Sequence, residues 1–155
     1  MIEAVPKHIF SNDYVLRASD GRHAELDVSS WRERAEFAID GASYRLYRDG
    51  IVGPFVLERD GTVIARALKP SVFRDRFDIE LPDRTCVLRK TSMSGRRFGV
   101  FEGDRAVGEM AKASFMTRRI RLSLPEDWPV AIQIYLFWLA LVIWNREASA
   151  VAAAG

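Results

Sequence analysis

The sequence predicts an all-β fold with one central helix, a closed antiparallel β-barrel of about 11–12 strands wrapped around a hydrophobic C-terminal α-helix. Three observations lead there. Turn dipeptides recur along the first 125 residues, the short segments between them alternate apolar and polar residues, and the run 128–144, WPVAIQIYLFWLALVIW, carries one strongly polar side chain, Gln133. A helix apolar on every face must be surrounded by apolar matter, either protein or lipid.

The turn pairs are Asp20-Gly21, Asp40-Gly41, Asp49-Gly50, Asp60-Gly61 and Pro82-Asp83, with Gly103-Asp104 in reversed order. Each separates segments rich in Val, Ile, Phe and Tyr, which is the all-β pattern. Residues 76–81 set Phe77, Ile79 and Leu81 against Arg76, Asp78 and Glu80, and residues 119–124 set Ile120, Leu122 and Leu124 against Arg119, Arg121 and Ser123. A period of two gives each strand one dry and one wet face. With these two, further strands at 12–19, 22–29, 33–40, 43–49, 53–59, 62–69, 84–91, 96–102 and 105–112 make eleven. Small residues, Ala65 with Ala67 and Ala106 with Gly108, leave room for something bulky to pack against them. The organisation is one barrel domain over 1–147, its helix at 129–145, followed by a flexible tail over 148–155.

The apolar run fits a core better than a bilayer. Its seventeen residues rise about 26 Å as a helix, short of the ~30 Å hydrocarbon core of a membrane. Glu126 and Asp127 precede it and only Arg146 follows closely, so flanking charge orients it weakly. A barrel this wide is not filled by its own inward side chains, and closure removes its strand edges. Helix and barrel each supply what the other lacks.

At 155 residues the chain suits one domain with a substantial core, and a hydrophobic content of 48% is ordinary for a globular protein. Its 23 basic and 21 acidic residues are interleaved, and a net charge of +2 gives no reason to expect nucleic acid as a partner. A single cysteine, Cys86, allows no internal disulfide and fits a reducing compartment. The opening MIEAVPKHIF has an acid, a proline and no apolar stretch of signal-peptide length, so a cytoplasmic location is expected.

No residue pattern organises catalysis. His8 and His23 have no Cys or carboxylate at ligand spacing, Cys86 reads as a small buried hydrophobe in an alternating strand, and Gly99, Gly103 and Gly108 form no phosphate cradle opening a helix. No catalytic residue, metal or cofactor is expected. Basic residues cluster as Arg96-Arg97, as Arg118, Arg119 and Arg121, and as Arg66, Lys69, Arg74 and Arg76. Such groups form either a patch for anionic lipid headgroups or the solvated outer faces of a barrel. Trp31 beside Arg32 and Arg34 is either an interfacial contact or a core residue.

The order of many short strands followed by LPEDWPVAIQIYLFWLALVIWNRE resembles the tubby C-terminal-like superfamily, which includes tubby proteins, phospholipid scramblases and LURP-one-related proteins. Leu124, Pro125 and Asp127 stand where scramblases carry an aromatic-Pro-x-Asp sequence before the apolar helix, and 61–83 is similar to a tubby stretch in which a basic strand precedes a new hairpin. The resemblance implies a closed barrel of about twelve strands around the C-terminal helix. It also implies binding of anionic phospholipid or phosphoinositide, because tubby proteins hold a phosphoinositide headgroup with a basic-x-basic pair whose donors match phosphate oxygens. Arg66 matches the first member of that pair; the second position is Leu68, with Lys69 one residue on. Where scramblases resemble calcium binders through carboxylates, this chain has Met116, Thr117, Arg118 and Arg119, and it lacks their cysteine-rich segment, so calcium is not expected as a partner.

The functional expectation is a monomeric, non-enzymatic binding or scaffold module, cytoplasmic and peripheral to the membrane, taking anionic phospholipid headgroups through Arg66, Lys69, Arg74 and Arg76. Two alternatives stand beside it. One is a tail-anchored membrane protein with a cytosolic β-domain, the other an enzyme with a cleft between loops.

Overall fold

The computed structural model describes residues 1–9, 11–29, 31–114 and 118–155. Twelve strands among them precede one helix: β1 Ile2–Pro6, β2 Tyr14–Ala18, β3 His23–Ser29, β4 Arg34–Ile39, β5 Ala42–Arg48, β6 Phe55–Arg59, β7 Thr62–Leu68, β8 Arg76–Glu80, β9 Thr85–Lys90, β10 Arg97–Glu102, β11 Arg105–Lys112, β12 Ile120–Ser123 and α1 Val130–Ala154. Every strand pairs antiparallel with its sequence neighbours, and β1 pairs with β12 through Ile2↔Leu122 and Ala4↔Ile120, so the sheet closes. The expected barrel around a helix is the observed architecture.

Alternation sorts the side chains. Along β4, Ala35, Phe37 and Ile39 are buried while Arg34, Glu36 and Ala38 are exposed, and β5 buries Ala42, Tyr44 and Leu46. The β4–β5 turn places Asp40 and Gly41 at φ 51° and 77°, and the β6–β7 turn places Asp60 and Gly61 at 46° and 87°. Two left-handed residues in succession are what a type I′ hairpin demands, and Asp-Gly meets that demand with little strain.

The helix fills the interior. Every residue from Val130 to Trp144 is buried, including Ile132, Leu136, Leu139 and Ile143. Rings reach it from well-separated strands: Tyr14 of β2 meets Phe137 edge-on at 5.2 Å, Phe55 of β6 meets Trp138 at 5.8 Å, and Phe98 of β10 meets Trp144 at 5.0 Å. Ala65 and Ala67 face inward, as their size suggested. Three polar side chains of the helix bond to backbone within this core. Gln133 Nε2 donates to the Trp128 carbonyl at 2.9 Å, the Tyr135 hydroxyl to the Phe55 carbonyl at 2.7 Å, and Trp144 Nε1 to the Gly95 carbonyl at 2.7 Å.

Three expectations need correction. Ile2–Pro6, left outside the eleven strands, is β1; it buries only Ile2 and Ala4, and the partner that reveals it, β12, lies at the far end of the sequence. The helix does not stop at Asn145 but runs to Ala154, taking up most of the tail expected to be flexible, because alanine has the highest helix propensity. Ala106 is exposed and does not face the helix. The β10–β11 register passes from Val100↔Gly108 to Phe101↔Ala106, a bulge that leaves Val107 against the core and turns Ala106 outward. Gly108 keeps the predicted role, since a Cβ there would fall 2.7 Å from Leu124 Cδ2 and 2.8 Å from the Ser123 carbonyl oxygen.

Cys86 of β9 is buried with this core, and burial pushes its thiol from the ordinary 9.0 up to about 12, with Glu102 adding to the shift. Between those values the unfolded chain gives up the thiol proton while the folded chain keeps it. The stabilisation is therefore complete below about pH 9 and is lost as pH rises through that window.

Two measurements test this core. In urea denaturation Trp138→Ala is expected to cost about 3–5 kcal/mol and Tyr135→Phe about 1 kcal/mol; a Trp138→Ala loss no larger than that of a surface substitution would show that the helix is not the filling. Denaturation repeated above pH 9 should show stability falling with pH by up to about 1.4 kcal/mol per unit for the one thiol. Cys86→Ala should make that fall shallower, and an unchanged slope in the variant would refute the assignment.

Candidate functional site

An up-and-down barrel sorts its loops by parity. Connections after even-numbered strands lie where α1 begins, and connections after odd-numbered strands lie where α1 emerges. The first set consists of tight turns bearing Asp20, Asp40, Asp60, Asp83 and Asp104, together with the Glu126-Asp127 approach to the helix. The second set is mostly longer, spanning 7–13, 30–33, 49–54, 69–75, 91–96 and 113–119.

That second end is tipped with apolar side chains. Eleven large hydrophobic residues are exposed among the described residues, and eight of them lie here: Ile9, Trp31, Ile51 with Val52, Val72 with Phe73, Met93, and Val151 on the emergent part of α1. Phe73 is 95% exposed and Trp31 81%. One exposed apolar residue needs no explanation, but one or two on each of five loops around a single rim make a patch.

Cations hold and surround these tips. Arg118 donates to the carbonyls of His8, Ile9 and Ser11 at 2.7–2.8 Å, which fixes the β1–β2 loop beneath Ile9. The Arg32 guanidinium lies 4.7 Å from the Trp31 ring centroid. At the helix exit Arg146 Nη2 reaches both Glu33 oxygens at 2.8 Å, and Lys90 joins Asp75 and Glu147. These pairs tie α1 to the loops it passes between.

The four basic residues singled out from the sequence fall into two pairs. Arg66 projects from the outer face of β7, with Val56 and Glu80 as cross-strand neighbours, and Arg76 of β8 donates to Asp78 at 2.8 Å. Both line a groove of about 680 Å³ on the barrel wall, beside Leu68, Val87 and Phe101. Because β7 ends at Leu68, Lys69 lies beyond the strand, and its ammonium donates to the carbonyls of Ser71 and Arg74, each at 2.8 Å. Burial pulls Lys69 below the ordinary lysine range, Asp75 opposes this, and Arg146 and Arg48 add to it. Lys69 thus shapes the loop that lifts Val72 and Phe73, with exposed Arg74 next to them.

The wall groove mixes signs, with Arg66 and Arg76 against Asp78 and Glu80, and so favours no ligand charge. Among the described residues no three His, Cys, Asp or Glu side chains gather as a metal site. Met116 and Thr117, in the stretch compared with calcium binders, lie outside the described residues. Trp31, which the sequence left between core and interface, is on the rim. The apolar rim itself escaped sequence reading, since each tip is an isolated residue in the chain; strand parity was the signal that joins them. Set against known protein families, curated proteins and solved structures, the chain matches none.

Proposed function

We propose that this protein is a non-enzymatic binding module that docks reversibly on anionic phospholipid surfaces with the helix-exit end of its barrel. The observation that carries the reading is the ring of eight exposed apolar tips interspersed with Lys69, Arg74, Arg118 and Arg32. Apolar side chains enter the acyl boundary while neighbouring cations meet anionic headgroups, each effect supporting the other. At the opposite end Arg22 is paired with Asp20 and Asp40 and Arg84 with Asp83 and Glu102, so those cations are already matched by acids and favour the other end for an anionic surface. Arg66 and Arg76, on the adjoining wall, then lie beside the headgroup layer.

Twelve strands closed around a C-terminal helix support reading the chain as a tubby-like protein, cytoplasmic, monomeric and peripheral to the membrane. By length and composition α1 is able to cross a membrane, but Val130–Trp144 lie inside the barrel, which favours surface contact over spanning.

Iodide quenching offers a direct test, because Trp31 is 81% exposed while Trp128, Trp138 and Trp144 are 3%, 1% and 5% exposed. Phosphatidylcholine vesicles containing phosphatidylserine should pellet the protein at low salt and shield Trp31 from iodide, and salt should weaken both effects as it screens the charges. Replacing Ile51, Val72 and Phe73 by Ser should weaken binding at least about tenfold. Protein that stays in the supernatant at low salt, or that binds equally well with the three tips removed, would overturn the proposal.

A further inference from the structure

A second feature lies at the helix-exit mouth, between the two loops that carry paired apolar tips, Ile51-Val52 and Val72-Phe73. β5 buries Ala42, Tyr44 and Leu46, so the same alternation turns Arg48, its last residue, toward the mouth. Cross-strand pairing then runs Arg48↔Phe55↔Ala67, and Ala67 has no side chain long enough to fill the row beyond the Phe55 ring. Lys69, two residues past Ala67, continues the inward alternation of β7. The emerging helix adds Arg146.

Distances bring these cations together over one ring. The guanidinium carbons of Arg48 and Arg146 lie 5.0 and 5.6 Å from the Phe55 centroid, so the two are no farther apart than the sum of those distances. Both lie close enough to Lys69 to lower its proton affinity, on top of its burial. Asp75 acts the other way but is itself paired with Lys90. Arg146 gives Nε and Nη2 to Glu33. Arg48 and Lys69, both half-buried, have no ion pair among the described residues. Their hydrogen bonds go to carbonyls, Arg48 Nε to Gly53 at 3.3 Å and Lys69 to Ser71 and Arg74 at 2.8 Å each. Both Nη groups of Arg48 and one ammonium N–H of Lys69 are left for a ligand. Other cations of the mouth are placed differently: Lys90 is matched by Asp75 and Glu147, and Lys112 lies 5.0 Å from the Trp144 ring centroid.

We propose that Arg48 and Lys69, backed by the Arg146–Glu33 pair, bind one phosphate group between these two loops. A guanidinium fork and an ammonium match phosphate oxygens, and a terminal phosphate carries about −1.5 to −2 charges near neutral pH, enough to offset both cations where a carboxylate offsets one. A cavity of about 400 Å³ opens against Arg48 beside Ile51, and the one acid in its lining, Glu33, is the one that Arg146 holds. That volume lies within the range of small-ligand sites and has room for the alcohol to which the phosphate is esterified. The apolar tips on either side bring the site to the headgroup layer of a docked membrane, so only the lipid source of the phosphate rests on the membrane-docking reading.

The test has a soluble arm and a vesicle arm. In the first, glycerol phosphate is titrated at an ionic strength held constant with chloride while the Arg48 Nε–H and the Lys69 side chain are followed by NMR. A saturable Arg48 shift and a rise in the Lys69 pKa are expected, because a bound anion favours the charged amine. In the second, phosphatidylcholine vesicles carry either phosphatidic acid or oleate at equal surface charge, and several-fold tighter binding to phosphatidic acid is expected. Arg48→Met, which keeps an apolar stem over Phe55, should abolish the shift and the preference, and Lys69→Met should weaken both. Ile51→Ser, Val72→Ser and Phe73→Ser together should lose the vesicles and keep the shift. A shift without the vesicle preference assigns the site to a soluble phosphate ester, and a preference that Arg48→Met removes, without the soluble shift, assigns it to the lipid. Neither shift nor preference, or effects that survive Arg48→Met, overturn the site and leave membrane docking standing.

Discussion

Twelve strands closed into a barrel enclose more space than their own inward side chains fill, and everything else in this molecule follows from how that space is occupied. The occupant is a helix with no polar face, which only a surround of strands can bury completely. Around it the inner wall is tapered residue by residue. Alanines at 65 and 67 are buried on the inner wall, and Gly108 lets the start of the helix approach draw close to β11. Gln133, Tyr135 and Trp144 each donate to a backbone carbonyl, so three of the polar groups that enter this core are satisfied within it.

Closure by consecutive antiparallel strands also fixes their number. With an odd count the first and last strands would run in the same direction and could not pair antiparallel, so the eleven strands legible in the sequence already required a twelfth. That strand is Ile2–Pro6, whose two buried residues give almost no periodic signal and whose proline sits at its end, where a missing N–H costs least. The apolar helix and the Asp-Gly turns were legible because their chemistry is local: a positive φ at Asp40 and Gly41 is demanded by the turn itself. The outward turn of Ala106 was not legible, because a bulge is a property of two strands and shows in neither alone.

The candidate site was legible only in part, and for a related reason. Lys69 and Arg74 reach the rim, but as neighbours of Val72 and Phe73 in one loop, while Arg66 and Arg76 belong to the wall. Sequence proximity grouped these four; the barrel separates them. Conversely, Ile9, Trp31, Ile51 and Met93 are far apart in the chain and share one rim because each follows an odd-numbered strand. Lys112 belongs to none of the basic groups singled out from the sequence, and only its register with Arg96 and its position over Trp144 distinguish it.

The two ends of the barrel answer to different constraints, and this explains why their chemistry diverges. Where α1 begins, the β4–β5 and β6–β7 hairpins admit two residues and little else, so those turns are conformational devices with an acid as by-product. Where α1 emerges, loops must pass around a helix, and their extra length frees side chains from turn geometry. Carboxylates at that end are largely committed: Glu33 to Arg146, Asp75 and Glu147 to Lys90, and Asp13 to the Val28 amide. Their pairing locks the helix to the rim and takes negative charge out of play. Lys112 and Arg118, whose own contacts are a ring and carbonyls, keep their charge, and the apolar tips stand beside a rim left positive. The same ion pairs that fasten the filling into the barrel therefore set the sign of the surface presented around it.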